Sequence, residues 1–567
     1  MAARASLLFC LALVGCFPPG EGEEPHPKDV YFPVGLALDA NAQHLFIVNS
    51  DFDLQYNSGT VLSWDLEALR GLVPRTCATD ADCPGQLCDL TLRGGDYTAR
   101  EEPSHPYVPG GWCVDEPVGN VVEPCPVRGE RPEREQLLYP GRCHSLGDQP
   151  VGEGQTVQIG AFATDALFRA SPLADSSDAN AVQGRLFVPV RGDATLHWID
   201  VRGDGTLHCG QENTEDGNTC DAGHRSGDDP IAENTRLARL QGEPFGIDAD
   251  AAGSVLLVSN QTSGAVGLFT NDWEGDTRFQ YTQFGLPERP IGVAAVPEPK
   301  AVAALGLAHL PGFLVTYRDS QSIHLIRAFL DEGAEPARPY TKVVGQSNVT
   351  LNSSGSDQRG LAIDANARRE AETACATRFG LDAACVDDPA CASLDAGYVT
   401  CVTEAASVPL DVFVASRSPA SLLRGTTRPV IDDLPASDVP VFQQTLPLGL
   451  GPSRVVQGQI INPQGALERR IFVVSFDSRR VVIYDPARDR IEGDIVTGRG
   501  PQAFVIDTND SEPADGVEDP STLHALGYIA QFTDSYISVV SLDQRHPATY
   551  GTIIATVGSP QPPRASK

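Results

Sequence analysis

Cysteines are the residues whose type and spacing promise the most definite chemistry in this chain of 567 residues, which carries 14 of them. Apart from Cys10 and Cys16 near the start, they fall into even local groups. Cys77, Cys83, Cys88, Cys113, Cys125 and Cys143 make a six, Cys209 and Cys220 a pair, and Cys375, Cys385, Cys391 and Cys401 a four. Even clusters in an exported chain are expected to close into disulfides within each group. The pair is then Cys209 with Cys220, while the connectivity inside the six and the four stays open. Zinc is the competing chemistry, but C-x5-C-x4-C and C-x9-C-x5-C-x9-C lack the C-x2-C knuckles of zinc sites, so no metal is expected. Catalytic patterns are missing too: no Gly-x-Ser-x-Gly, no His-Glu-x-x-His and no phosphate-binding Gly-x4-Gly-Lys. The 11 histidines are scattered, with none paired at i+2 or i+4. Asp507–Glu512 and Ser226–Asp229 bunch oxygen ligands but lack the Gly and distal Glu of a calcium loop at the right spacing, and read as acidic turns. No cofactor is expected.

Cys16 asks for a different chemistry. Met1–Arg4 is followed by an apolar run from Ala5 to Gly15, too short to span a bilayer and suited to a secretion signal. The end of that run, Leu13-Val14-Gly15-Cys16, resembles the bacterial lipobox. The resemblance implies cleavage before Cys16, lipid on its sulfur, and attachment to a membrane by several acyl chains, each buried methylene contributing about 0.8 kcal/mol. Phe17, where an Asp signals inner-membrane retention, implies outer-membrane sorting, facing the periplasm or the outside. Ordinary secretion with an incidental Cys16 is the alternative. Residues 16–29 are rich in Pro, Gly and Glu and read as a tether. The formal charge of -33 argues against nucleic acid as a partner, because an acidic surface repels phosphate backbones.

The elements that must position everything else are short apolar strands in a repeating order. A Gly/Pro turn opens a first strand that often ends in Asp; a second apolar strand follows, then a polar turn and a third strand. Copies begin near Pro33, Gly160, Pro244, Pro290, Arg359, Pro452 and Pro501. In the second copy the first strand is expected at about 160–165. Fourth strands are expected at Val157–Gly160, Ile495–Gly498 and Ile553–Gly558. The 46 residues from Pro244 to Pro290 and the 49 from Pro452 to Pro501 each suit one four-stranded blade. The strands run near-continuously apolar, as sheets covered on both faces require. The expected fold is therefore all-β, a seven-bladed β-propeller over residues 30–560 with a tail at 561–567. A pair of β-sandwiches is the competing architecture, but it does not explain the recurring turn chemistry. Leu45–Asn49, Leu196–Asp200, Val481–Asp485 and Ile553–Gly558 resemble the blades of YVTN-type seven-bladed propellers, and that resemblance implies the same ring.

Alternating strand direction sorts the connections into two faces. Turns joining strands one to two and three to four share one face, and turns joining two to three share the other. On this scheme the cysteine-rich insertions decorate the first face: those at about 75–145 and 205–222 between strands three and four of blades one and two, and that at 365–402 between strands one and two of blade five, where 365–379 reads as a short helix ended by Gly380. Polar turns on the other face bring Arg191, Asp193, Asn260, Arg318, Asp319, Arg417, Asp477, Arg479 and Asp534 toward the channel mouth. They are candidate ligand-binding residues, with solvated turn formers as the plainer reading. The function expected from all this is a lipid-anchored, non-catalytic scaffold that binds an envelope protein or polysaccharide through the capped face or the channel mouth. A propeller hydrolase, lyase or dehydrogenase, with acids or histidines gathered from distant blades, is the alternative.

Overall fold

In the computed structural model the described residues are 23–73, 76–77, 87–89, 111–114, 144–146, 149, 151–152, 154–174, 178, 181–210, 219–349, 356–381, 396–508, 523–547 and 549–558. Seven antiparallel sheets follow one another along the chain, each built around four strands taken in chain order. Blade one is Pro33–Leu38, His44–Asn49, Gly59–Asp65 and Thr156–Ile159; blade seven is Pro501–Thr508, Ala525–Gln531, Tyr536–Ser541 and Ile553–Val557. The first strands of blades two to six are Leu167–Ala170, Pro244–Ala249, Pro290–Val296, Gln358–Asp364 and Pro452–Ile461. Each first strand lies beside the first strand of the next blade, and Pro33–Leu38 closes the circle against Pro501–Thr508. The chain is a seven-bladed propeller, which excludes the sandwich pair.

Packing explains the residue pattern. Every residue of His44–Asn49, Gly312–Tyr317 and Tyr536–Ser541 is buried, because a neighbouring blade covers each sheet face. Phe46, Phe187, Phe269, Phe313 and Phe413 sit fully buried between blades, and each such ring contributes roughly 1.5–3 kcal/mol of burial.

The opening triplet of the first strand has a structural cause in six blades, all but blade two. Its first residue pairs with the end of the second strand, as in Pro33 with Asn49 and Pro452 with Ser475, and a bulge follows at once. The third residue is Gly35, Gly246, Gly292 or Gly360 in four blades. A Cβ on Gly246 would stand 2.2 Å from the Ile291 oxygen, and one on Gly292 equally close to that of Arg359. Glycine lets adjacent inner strands touch.

The Asp that ends many first strands is an inter-blade link. Asp248 meets Arg169 of blade two at 2.5 Å, and Asp364 meets Arg469 of blade six at 2.7 Å. Asp507 of blade seven accepts from Nε and Nη2 of Arg70, both at 2.8 Å, Arg70 being on the helix Leu66–Leu72 that follows the third strand of blade one. Burial pushes the Asp507 carboxyl up, but the His524 and Arg70 contacts outweigh it and hold it below its usual range.

Two expectations need correction. The first strand of blade two is Leu167–Ala170, preceded by a lone bridge of Ala163 to Val190, not a strand at 160–165. Cys209–Cys220 does not lie between strands three and four of blade two. It interrupts the fourth strand, whose halves Leu207–His208 and Arg225–Ser226 both pair with Thr195–Arg202. An outer-edge strand has a free side, so a loop can leave it midway and lie along the rim. There Thr219 bridges Gln158 of blade one.

The other insertions follow the expected scheme where they are described. Between strands one and two of blade five run the helices Asn366–Arg378 and Ala396–Ala405, joined by a Cys375–Cys401 disulfide, with Gly380 at φ +65° ending the first stretch. From the blade-one insertion, Thr76–Cys77, Leu87–Asp89 and Gly111–Val114 form a small sheet in which Cys88 is opposite Cys113. The strand His144–Ser145 pairs in parallel with the last strand of blade seven. Cys16, Cys83, Cys125, Cys143, Cys385 and Cys391, the signal segment, residues 16–22 of the tether and the tail fall outside the described residues. No helix among the described residues is long and apolar enough to cross a membrane.

Candidate functional site

First strands of six blades, with the segment Ala163–Ala166 just before the first strand of blade two, line a central cavity of ≈ 760 Å³. Its wall is mostly small and aliphatic, with Val34, Ala163, Ile247, Val293, Leu361 and Val455 among the lining side chains. A charged pair crosses it. In blades two and six the triplet position that is glycine in four other blades, and Ala503 in blade seven, holds Asp165 and Arg454, and their side chains meet at 2.7 Å. Three blade steps separate these residues around the ring, so the contact spans the channel. Burial pushes the Asp165 carboxyl up, and Arg454 offsets only part of that. Asp248 also lines the cavity and is held by Arg169. No histidine or cysteine is among the lining residues.

The mouth on the two-to-three face is divided. One arc is aromatic: Phe52, Phe162, Phe476 and Phe532 line the opening. Phe52 meets Phe532 at 5.3 Å and Phe162 at 6.0 Å, while remaining 51% exposed. The other arc carries guanidinium groups. Arg359 lines the cavity and pairs with Asp357 at 2.6 Å; Arg318 approaches the same Asp357 oxygen at 3.7 Å. Arg417 also lines the cavity and pairs with Asp477. Burial pulls the Arg359 guanidinium below its usual range; Asp357 opposes this, while Arg318 and Arg417 add to it by repulsion. Two arginines sharing one carboxylate leave a positive excess at that point.

Of the turn residues singled out in the sequence, Arg191 and Arg417 line the cavity, and Arg191 pairs with Glu243 at 2.9 Å. Asp193 instead holds the buried His197 at 2.9 Å and Thr195 at 2.7 Å. Burial raises its carboxyl, but the His197 contact wins and lowers it. Asn260 is buried and donates to the Gln241 carbonyl. Asp319 pairs with Arg289, and Asp534 with Arg499. Arg479 holds a positive φ of 56° at its turn. The phenylalanines, Arg359, Asp165 and Arg454 were not singled out. For the last two the signal was present: a charged residue where four other blades have glycine.

The fold and the site together define a seven-bladed propeller with an ion-paired channel and a two-part mouth. No family model matches the sequence, and no curated protein matches it. Among solved structures, similar chains include Kuenenia stuttgartiensis hydrazine synthase, at 10% identity and TM-score 0.40, covering 93% of this chain and 99% of that one. The periplasmic gluconolactonase of Pseudomonas aeruginosa matches at 12% identity and TM-score 0.39, covering 82% and 86%. A protein from Lactobacillus plantarum matches at 10% and 0.37, also covering 82% and 86%. Likenesses this distant carry no argument about ligand or chemistry.

Proposed function

We propose that the protein is a lipid-anchored binding propeller of the bacterial cell envelope, of YVTN type, attached through Cys16 to the outer membrane. It captures a carboxylate-bearing, partly apolar segment of an envelope partner in the mouth of its channel. The convergence of Arg318, Arg359 and Arg417 opposite the exposed Phe52 arc carries this reading. Guanidinium forks match carboxylates and aromatic faces take apolar surface, so one ligand with both features satisfies both arcs. A binding role is favoured over catalysis because the carboxylates of the cavity, Asp165 and Asp248, each already face a guanidinium.

Capture from detergent-solubilised envelopes tests the site. The wild type is expected to retain a stoichiometric partner, a protein on this reading and a polysaccharide on the alternative. Arg359→Ala and Phe52→Ala should each weaken retention at least about tenfold, the scale of one lost charge-assisted or aromatic contact. An unchanged partner set in both variants defeats the channel-mouth reading. The anchor is tested separately: Cys16→Ser should move the protein from the membrane to the soluble fraction.

A further inference from the structure

Away from the channel, on the rim of blade two, three ligand-type side chains meet that come from separate stretches of chain. Asp200 lies on the third strand, and His208 is its register partner on the first half of the interrupted fourth strand. Side chains directly opposite on antiparallel strands share a face. His224 ends the short turn Ala222–His224 just beyond the loop. One nitrogen of each imidazole and one oxygen of Asp200 all lie within 4.8 Å of one another. Donors around a bound first-row cation stand roughly 3–4 Å apart, given bonds of about 2.0–2.2 Å, so small side-chain rotations close the set.

The surroundings hold each of these groups in place. The Cys209–Cys220 disulfide, with Cα atoms 4.6 Å apart, directly follows His208 and closes the loop before His224. Asp221 accepts the His224 backbone N–H at 3.1 Å and contacts its ring Nδ1 at 2.9 Å. With Nδ1 engaged there, Nε2 is the ring nitrogen left for a cation, the carboxylate–histidine arrangement that orients metal-bound imidazoles. Beneath the ring lies Trp198, two residues before Asp200 on the same strand face, with centroids 4.0 Å apart. His208 meets His224 edge to face at 5.7 Å. Arg185 bonds Oδ1 of Asp200 at 2.6 Å and sends its other nitrogens to Asn271, Asp272 and Gly275, which fixes the carboxylate and leaves Oδ2 to bind.

We propose that Asp200, His208 and His224 bind one divalent first-row transition cation, with zinc the reference ion, and that Asp221 positions His224. Two imidazoles and one carboxylate suit such ions and are too poor in oxygen for calcium or magnesium. Three protein ligands leave a coordination position open to water or an incoming donor. The spacing of 200, 208 and 224 forms no recognisable motif, and only the split strand and its disulfide bring the three together.

The test is a calorimetric titration of the oxidised mature chain, stripped with a chelator, using zinc chloride alone. One equivalent is expected to bind with micromolar or tighter affinity. His208→Ala and His224→Ala should each lose at least tenfold, and Asp221→Asn about tenfold through misorientation of the ring, while His26→Ala keeps wild-type affinity. Cobalt supplies a second readout that needs no ligand variant. It should quench Trp198 fluorescence, measured as the difference between wild type and Trp198→Phe. Absence of stoichiometric zinc binding in the wild type overturns the proposal. So does unchanged affinity in the His208→Ala/His224→Ala double variant, or a cobalt response identical in wild type and Trp198→Phe.

Discussion

Asp51 sits at a positive φ of 47°, nearly inaccessible, with Oδ1 accepting from the Tyr56 backbone and Oδ2 buried without a hydrogen-bond partner among the described residues. Burial, aided by the Asp53 charge and resisted by the Tyr56 bond, raises its carboxyl from 3.8 to about 7. Between those values the folded chain holds a proton that the unfolded chain has released, so this group makes stability fall as pH rises through the window. Denaturant unfolding at pH 5 and pH 8 should show that slope in the wild type and a flatter one in Asp51→Asn, whose amide tolerates the left-handed backbone. A second residue-scale expectation concerns the channel. Arg454→Ala strands Asp165 in the cavity and should cost about 1–3 kcal/mol, partly restored by adding Asp165→Asn; an additive pair of losses would mean the two charges do not interact. Asp51 was not legible from sequence, and of the channel pair only the charges in a glycine position were. Asp51 looked like any loop acid, and Arg454 finds its partner 289 positions away, a contact that no local pattern encodes.

At the scale of elements, the glycines of the inner strands are the sharpest structural requirement. Gly292→Ala brings a methyl group to 2.2 Å from the Arg359 oxygen and 2.6 Å from Thr316 Oγ1, where backbone cannot yield. Its expected cost is about 2–3 kcal/mol or more, seen as a lowered urea midpoint. Gly242→Ala, with nothing within 4 Å, should be nearly neutral. The strands themselves were readable because a sheet covered on both faces demands runs such as Val255-Leu256-Leu257-Val258, and the helix before Gly380 because its stop signal is local. The helix Ala396–Ala405 was missed: it is held by packing of Tyr398 and Val402 against Cys375 and Ala376, a tertiary cause. The Asp that closes many first strands was visible as a habit of the repeat, while its arginine in the neighbouring blade was not.

Across the whole molecule, the ring closes without sharing a blade between the two ends of the chain, because blades one and seven each take all four core strands from their own segment. What joins them is side-chain packing, the Arg70–Asp507 pair and the strand His144–Ser145 laid against Ile553–Val557. Arg70→Ala should therefore cost about 2–4 kcal/mol in equilibrium unfolding by leaving the fully buried Asp507 with His524 and Tyr528 alone. A loss below about 0.5 kcal/mol would show that the closure does not depend on this link. Blade number was legible because the repeat is additive; the closure was not, since it unites residues at opposite ends of the sequence. That union has a consequence for how the protein is made. The strand at His144–Ser145 is synthesised more than 400 residues before the edge that receives it, so it must wait, unmatched, until the last strand arrives. Assembly then finishes in a single late, long-range step, the slow kind that a high contact order imposes. A chain cut short by its final fifteen residues, which include all of Ile553–Val557, would be left with blade one's clasp holding nothing and an open groove where the circle should end.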